Sequence, residues 1–290
     1  VMVENANMHA LYVNSKVLKD IDAESKSSTP GITKINGKYT GELLELIAMN
    51  LALAQLPKIT FEDMCDITRS ASRLAHRVGV TTMVDAAIGL SFLTHGLQAY
   101  QHEVPKRDFP QRVFMFPVNL WVHHVGLDYV RKLKEENTDK LAVDAIKFFT
   151  DGSLHGHTAH LQWPFYHHCG CNGMENIPVD ALQKQWLAFQ KAGFRVAVHV
   201  NGDQAIEQAL QAANYVLNND ACFDHRHSFE HTQMASENQL ARMATLGIAS
   251  NFLINHVYYW ADTHIKNLGL TRAQNINPLQ SALQHGVKFS

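Results

Sequence analysis

From about residue 78 onward, short runs rich in β-branched and aromatic residues alternate with stretches whose apolar positions recur at helical spacing. The strand-like runs are 80–85 (VTTMVD), 112–118 (RVFMFPV), 145–150 (AIKFFT), 194–200 (FRVAVHV), 227–231 (HSFEH) and 248–254 (IASNFLI). Residues 287–290 (VKFS) open one more. Between them lie amphipathic stretches such as 181–192 and 204–217. Ser236, followed three residues later by Gln239, fits a capping box in which each side chain satisfies the other's backbone amide. Near-continuous apolar strands separated by helices predict an α/β fold with a parallel sheet covered by helices.

Residues 1–60 follow a different pattern. The segment 20–39 is rich in Ser, Lys, Gly and Thr and reads as a surface loop or small hairpin. Residues 43–54 read as an apolar helix that Pro57 ends. We read 1–60 as an accessory segment packed on a barrel formed by 61–290. Six strands, or seven with the last fragment, fall short of the eight of a closed (β/α)8 TIM-type barrel. The expectation is such a barrel, incomplete, with the first strand and most of the eighth missing. An open doubly wound sheet is the alternative.

Composition narrows the classes. At 290 residues and 46% hydrophobic content the chain can bury one large core or two small ones. A net charge of −2 gives no reason to expect nucleic acid or an anionic membrane as partner. No apolar run reaches the roughly 20 residues of a membrane span. A small-molecule substrate is the expected partner, and a homo-oligomer is left open. Cys65, Cys169, Cys171 and Cys222 make no dense disulfide pattern. A reducing compartment, and by default the cytoplasm, is the expectation from that; the mixed polar and apolar residues from Val1 show no leader, which carries little weight. Histidine is the outlier, at 18 residues. It is the commonest metal ligand and the usual near-neutral acid or base.

In parallel α/β folds the chemistry sits at the carboxyl ends of strands. Here those ends carry Asp85, Asp151, Asp203, His199, His231 and His256, with Lys147 inside the third run. Strand alternation puts Ala145, Lys147 and Phe149 on one face, and Ala197 and His199 on one face. Lys147, His199 and His231 are thus candidates to converge on one mouth. A lone strand-end histidine is more often a hydrogen-bonded core residue, and a lone lysine more often snorkels to solvent. An ammonium binds no metal without modification.

The motifs resemble a known family. KFFTDGSLHGHTAHL, from Lys147, resembles the signature of a long-chain branch of the metal-dependent amidohydrolase superfamily that includes the N-substituted formamide deformylases. Further matches run along the chain: His9 to Lys16 (HALYVNSK), Thr40 to Glu45 (TGELLE), Gly79 to Ala86 (GVTTMVDA), Val198 to Asp203 (VHVNGD), Phe229 to Gln233 (FEHTQ), and Asn255 to Asp262 (NHVYYWAD). The resemblance implies that Lys147, carbamylated by carbon dioxide, bridges divalent metals, with zinc the expected ion, and that His199 and His231 ligate them. It implies metal-activated water attacking the carbonyl of an amide, formamide or cyclic amide. Asp151, Gly152 and Ser153 then shape the adjoining loop. Asp151, His256, Trp260 and His9 are the candidates on the substrate side.

In that family a His-x-His pair on the first strand and an aspartate on the eighth, the general base, complete the ligand set. We expect the first upstream of Val1 and the second just after Ser290. A small β-sandwich built from both termini is likewise expected to lie outside the chain. A catalytically inactive barrel fragment, or a family member used for binding or regulation, is the alternative from another class. A barrel acting on phosphoesters fits the ligands but not the motifs. His155 and His157 read as loop residues. Tyr166 to Cys171 (YHHCGC) has no second Cys/His cluster to pair with. His225 and His227 read as surface or strand-start residues.

Overall fold

The first 53 residues build a four-stranded antiparallel sheet of their own, in a computed structural model that describes residues 1–5, 8–90 and 94–290. Its strands are β1 (Met2–Glu4) and β2 (Ala10–Val13), then, past α1 (Ser15–Asp20), β3 (Ile32–Ile35) and β4 (Lys38–Leu44), in the spatial order β1-β2-β4-β3. The β3–β4 turn uses Asn36 and Gly37 at φ of 51° and 75°, the left-handed pair that a tight hairpin turn needs. Helix α2 (Glu45–Leu53) begins two residues later than its apolar pattern suggests. Leu43 and Leu44 are instead held in β4 by pairing with Leu11 and Ala10. The chain then turns at Glu45, whose φ is 61°. Leu11, Val17, Ile21, Leu43 and Met49 form this segment's own core.

The remainder alternates as the pattern predicts. In order come α3 (Phe61–Arg77), β5 (Thr82–Ile88), α4 (Thr94–Glu103), β6 (Arg112–Pro117), α5 (Asn119–Val125), α6 (Leu127–Glu135), β7 (Leu141–Val143) and β8 (Ala145–Phe149). Then follow α7 (Val179–Lys191), β9 (Arg195–Val200), α8 (Asp203–Asn219), β10 (Ser228–His231), α9 (Glu237–Leu246) and β11 (Ala249–Phe252). Four short helices complete it: α10 (Asn255–Tyr259), α11 (Ala261–Leu268), α12 (Leu270–Ala273) and α13 (Leu279–His285). The capping box at Ser236 and Gln239 forms as expected, and Thr60 with Asp63 makes another at α3.

All pairings among β5 to β11 are parallel, and neighbours in space are neighbours in sequence. β7 and β8 act as one strand broken at Asp144: β7 pairs with β6, and β8 pairs with β9. A bridge from Val118 to Lys147 spans the break. Backbone hydrogen bonds from Ser250 and Phe252 to Lys288 and Ser290 set the last residues beside β11. Among the described residues no strand joins β5 to that last segment, so the parallel sheets are observed and a closed ring is not.

Alternation sorts the side chains into two layers. Ile146, Phe148, Val196, Val198, Val200 and Phe229 pack outward against Leu182, Trp186, Ala209 and Leu210 of the helices. Ala145, Ala197 and Phe116 form a smaller inner cluster. Lys147, Phe149 and His199 share the inner face with Ala145 and Ala197, at the carboxyl end of the strands.

His227 is not a surface residue but lies behind β10 at 1% exposure. Its Nδ1 accepts the Val196 amide at 2.9 Å, and Gln190 Oε1 lies 2.7 Å from its Nε2. A second ring proton would face the Val196 N–H. Burial, then His225 and Arg195, push its pKa down to about 3 from 6.5. The folded value is below the unfolded one, so this stability is full above about pH 6.5 and is lost as the pH falls towards 3, by up to ~1.4 kcal/mol per pH unit. Urea midpoints are expected to drop between pH 7 and pH 5, and His227→Gln to flatten that drop; equal slopes would count against it. His225, at 9% exposure, stacks on His227 and is likewise buried.

No helix among the described residues is long and apolar enough to cross a membrane. Cys169 and Cys171 are joined in a disulfide, which the sparse cysteine pattern did not suggest, while Cys65 and Cys222 are free.

Candidate functional site

Lys147 sits mid-strand in β8 at 3% exposure, its Nζ 4.7 Å from the centre of the Phe149 ring. Burial lowers its pKa to about 8, with Glu230 and Asp151 opposing the fall. One strand over, Phe149 is in register with His199, and their rings lie 5.3 Å apart. His199 Nε2 lies 3.1 Å from the Gly152 carbonyl oxygen. That oxygen can only accept and lies slightly nearer than the Asn201 Nδ2 donor at 3.2 Å, which places the ring proton on Nε2 and leaves the Nδ1 lone pair for another partner. Burial, then His231, His9 and Lys147, hold His199 well below the usual imidazole range.

His231 reaches the same place by a different route. Phe229 packs outward and Glu230 is level with His199, so simple alternation would send His231 outward. Instead His231 and Thr232 take φ of 76° and 45°, which swings the imidazole inward. Its ring stands edge-on to His199 at 4.6 Å. A β-branched residue in the left-handed region is strained. Thr232 is held there by its amide on Val200 O at 2.8 Å and by Ser250 Oγ on its hydroxyl at 2.8 Å. Burial, then Lys147 and His9, push His231 down to about 3.

The accessory segment contributes His9, whose ring lies 5.1 Å from His199. Its Nδ1 is 3.0 Å from Glu45 Oε2. Glu45 is 3% exposed and also accepts Asn176 Nδ2 at 3.0 Å. Its left-handed backbone is what points the carboxylate here. Glu45 was not singled out by the sequence; its place at the end of TGELLE was the available signal.

A cavity of about 250 Å³ opens at these strand ends, lined by His9, Ser153, His155, His199, Asn201, His231, Leu253, His256 and Trp260. His9, His256 and Trp260, the candidates for the substrate side, thus line this cavity. His155, read as a loop residue, does lie in the loop after β8, where it lines the cavity and stacks on Trp260 at 4.2 Å and 17°. Asp151 departs from expectation too. It is fully buried and outside the cavity lining, accepting the backbone amides of His160, Asn201 and Gly202 at 2.8–3.2 Å, with Oδ1 3.5 Å from His199 Nε2. It clamps the end of β8 to the end of β9. Asp85 is similarly occupied by Tyr100 and the Ala87 amide, and Asp203 by Arg272 and the Gln162 amide. His157 packs on Tyr166 and His168, outside this cavity.

Two other places compete. A larger cavity, about 990 Å³, opens at the amino-terminal ends of β10 and β11 beside Arg195, Arg226 and Lys288. It lies at the end of the sheet opposite to Lys147, His199 and His231, where α/β folds keep stability rather than chemistry. Among the described residues Cys65, His102 and Glu103 are the only three metal-type donors within 4.8 Å of one another. Glu103 is already paired with Arg69, Lys106 and His102, and two fixed cations beside it oppose a third.

A sequence model described as "Amidohydrolase family" matches residues 1–290. Protein LONG AFTER FAR-RED 3 of Arabidopsis thaliana is 26% identical over 291 residues, covering 96% of this chain and 49% of that protein. The putative amidohydrolase YtcJ of Bacillus subtilis (strain 168) is 26% identical over 219 residues, covering 73% of this chain and 40% of its own length. The chain thus spans about half the length of the curated relatives it matches. Among solved structures, an uncharacterized metal-dependent hydrolase from Pyrococcus furiosus superposes with a TM-score of 0.72 at 20% identity, over 98% of this chain and 56% of that one. That likeness shows a shared fold.

Proposed function

The chain belongs to the amidohydrolase family, whose sequence pattern spans all 290 residues, and from that membership we propose that Lys147, His199 and His231 hold a divalent metal for hydrolysis of a C–N bond. The substrate class is an amide, formamide or cyclic amide, and the framework is a TIM-type barrel. The observation that carries this is the meeting of two neutral imidazoles, buried His199 and partly buried His231, 4.6 Å apart, beside a buried lysine.

The donor chemistry fits a metal. Metal-binding histidines hand their second ring nitrogen to a carbonyl or carboxylate, which fixes the tautomer. His199 does this with Gly152. Lys147, with its pKa lowered to about 8, has about a tenth of its amine free at pH 7, far more than an ordinary lysine. The neutral nitrogen adds to carbon dioxide, losing a proton, to give a carbamate with two carboxylate-type oxygens. Imidazole with carboxylate suits zinc, and the metal-dependent hydrolase of matching fold supports the reading. When bound, such a metal supplies Lewis acidity and lowers the pKa of water. The chain's own residues do the rest. Glu45 fixes the His9 ring at the cavity wall, which Ser153 and Asn201 also line.

Chelator-stripped chain reconstituted with Zn²⁺ in bicarbonate is expected to retain stoichiometric metal and to hydrolyse members of a panel of N-formyl, N-acyl and cyclic amides. Leaving out bicarbonate is expected to lower both. Turnover of phosphotriesters but no amide, or no retained metal, would count against the proposal.

A further inference from the structure

A second set of nitrogen donors stands on the outer side of the cavity, around Trp260. His155 comes from the loop after β8, His256 from α10 and His264 from α11. Their ring centres are 5.2 Å (His155–His256), 5.9 Å (His256–His264) and 6.4 Å (His155–His264) apart. Trp260 stacks on His155 and fixes its plane. His264 is fully buried, and neither of its ring nitrogens has a hydrogen-bond partner. Both ring nitrogens of His155 are in the same state. Gln233 engages Nδ1 of His256 at 3.0 Å, leaving Nε2 as that ring's other nitrogen.

Four unsatisfied buried nitrogens in one place are costly, about 1–3 kcal/mol each, and native proteins rarely leave them so. We propose that His155, His256 and His264 form a second transition-metal site, distinct from Lys147, His199 and His231. The chemistry selects the ligand. Burial, first of all, pushes His155 and His264 each to about 4 and lowers His256, so the rings are neutral and carry free lone pairs. A neutral cluster has no charge to hold an anion. An all-imidazole set suits Cu²⁺, Ni²⁺ or Zn²⁺ rather than Mg²⁺ or Ca²⁺. Metal–nitrogen bonds of about 2.0–2.1 Å put the centres of imidazoles around one tetrahedral ion about 5 Å apart. The observed spacings exceed that by little. The ring nitrogens are not yet gathered within 4.8 Å of one another. Closing the site takes rotation of His256 and His264 about Cβ–Cγ, a broad and soft torsion for histidine, to aim their nitrogens, and a small shift of the loop and helices to bring the ring centres together.

The test titrates chelator-stripped full-length chain with Cu²⁺, with free glycine present to outcompete isolated surface histidines. Copper EPR then reads the number of nitrogen ligands. The parent is expected to bind one more equivalent than His155→Ala, which alters only a half-buried loop side chain. His264→Gln is expected to lose the same equivalent, and the Lys147→Met/His231→Asn double variant to keep it with a nitrogen-rich signal. Equal uptake by parent and His155→Ala would overturn the outer site and leave the inner one standing. Loss of all copper from the double variant would also overturn it, by showing that one shared centre holds the metal. An inner site that fails while the outer equivalent persists overturns only the functional reading above.

Discussion

Lys147→Met is expected to give a folded protein that retains less divalent metal than its parent, the equivalent at the inner site being lost, and that, compared metal-free at pH 7, is more stable. The two effects have one cause. Lys147 is 3% exposed and, among the described residues, has no carboxylate within salt-bridge distance. Its pKa falls from 10.5 to about 8, mostly through burial. For a base whose folded pKa is lowered, the unfolded chain binds more protons between the two values. Metal-free stability therefore rises with pH from about 8 to about 10.5, and below 8 the full penalty is present. The shift corresponds to ~3 kcal/mol. Methionine keeps the volume and removes the charge, so at pH 7 the variant escapes most of that penalty. Urea unfolding of both proteins, metal-free, at pH 7 and pH 10 checks the sign: the parent should gain stability and the variant should not. Metal analysis after reconstitution in bicarbonate checks the loss of binding, and equal metal content in the two proteins would refute the assignment of Lys147.

Gly152→Ala is expected to damage both the fold and the site. A Cβ at this position would come within 2.0 Å of Glu45 Oε1, 2.0 Å of Thr158 Oγ1 and 2.6 Å of Thr158 Cβ. Neither neighbour is free to move. Glu45 is tied to His9 and Asn176, and the Thr158 hydroxyl accepts the Ser153 amide. Overpacking of this kind costs about 1–3 kcal/mol or more. The backbone must give way, and the Gly152 carbonyl moves with it. That carbonyl orients His199 and accepts Asn201 Nδ2 at 2.7 Å. Losing such a supporting contact weakens metal binding by about 10–100-fold. A lowered urea midpoint with weaker zinc affinity is the expected pair of results. An unchanged midpoint would show that the loop has more room than the structure allows.

Much of this was legible in the chain. The six strand-like runs all became strands, because apolar β-branched runs between helices have few other ways to bury both faces. Lys147 and His199 could be placed on the inner face from alternation alone. The capping box at Ser236 was local enough to read directly. Helix α2 was misplaced at its start because Leu43 and Leu44 suit either a helix or a strand, and only their pairing with β2 decides. Asp151 looked like a group facing substrate because it ends a strand. Three backbone amides from distant residues claim it instead.

By itself the sequence determined the order of the six strands from residue 80 onward, the inward face of β8 and β9, and the family, since each of these is written in spacing along a few neighbouring residues. The tertiary structure alone decided that His231 turns inward through two left-handed residues, that Glu45 holds His9 across 36 residues and Asn176 across 131, and that His155 meets Trp260. The reason is physical: a local pattern fixes which way a side chain leaves its own strand or helix, whereas its partner is chosen by the packing of segments far apart in the chain.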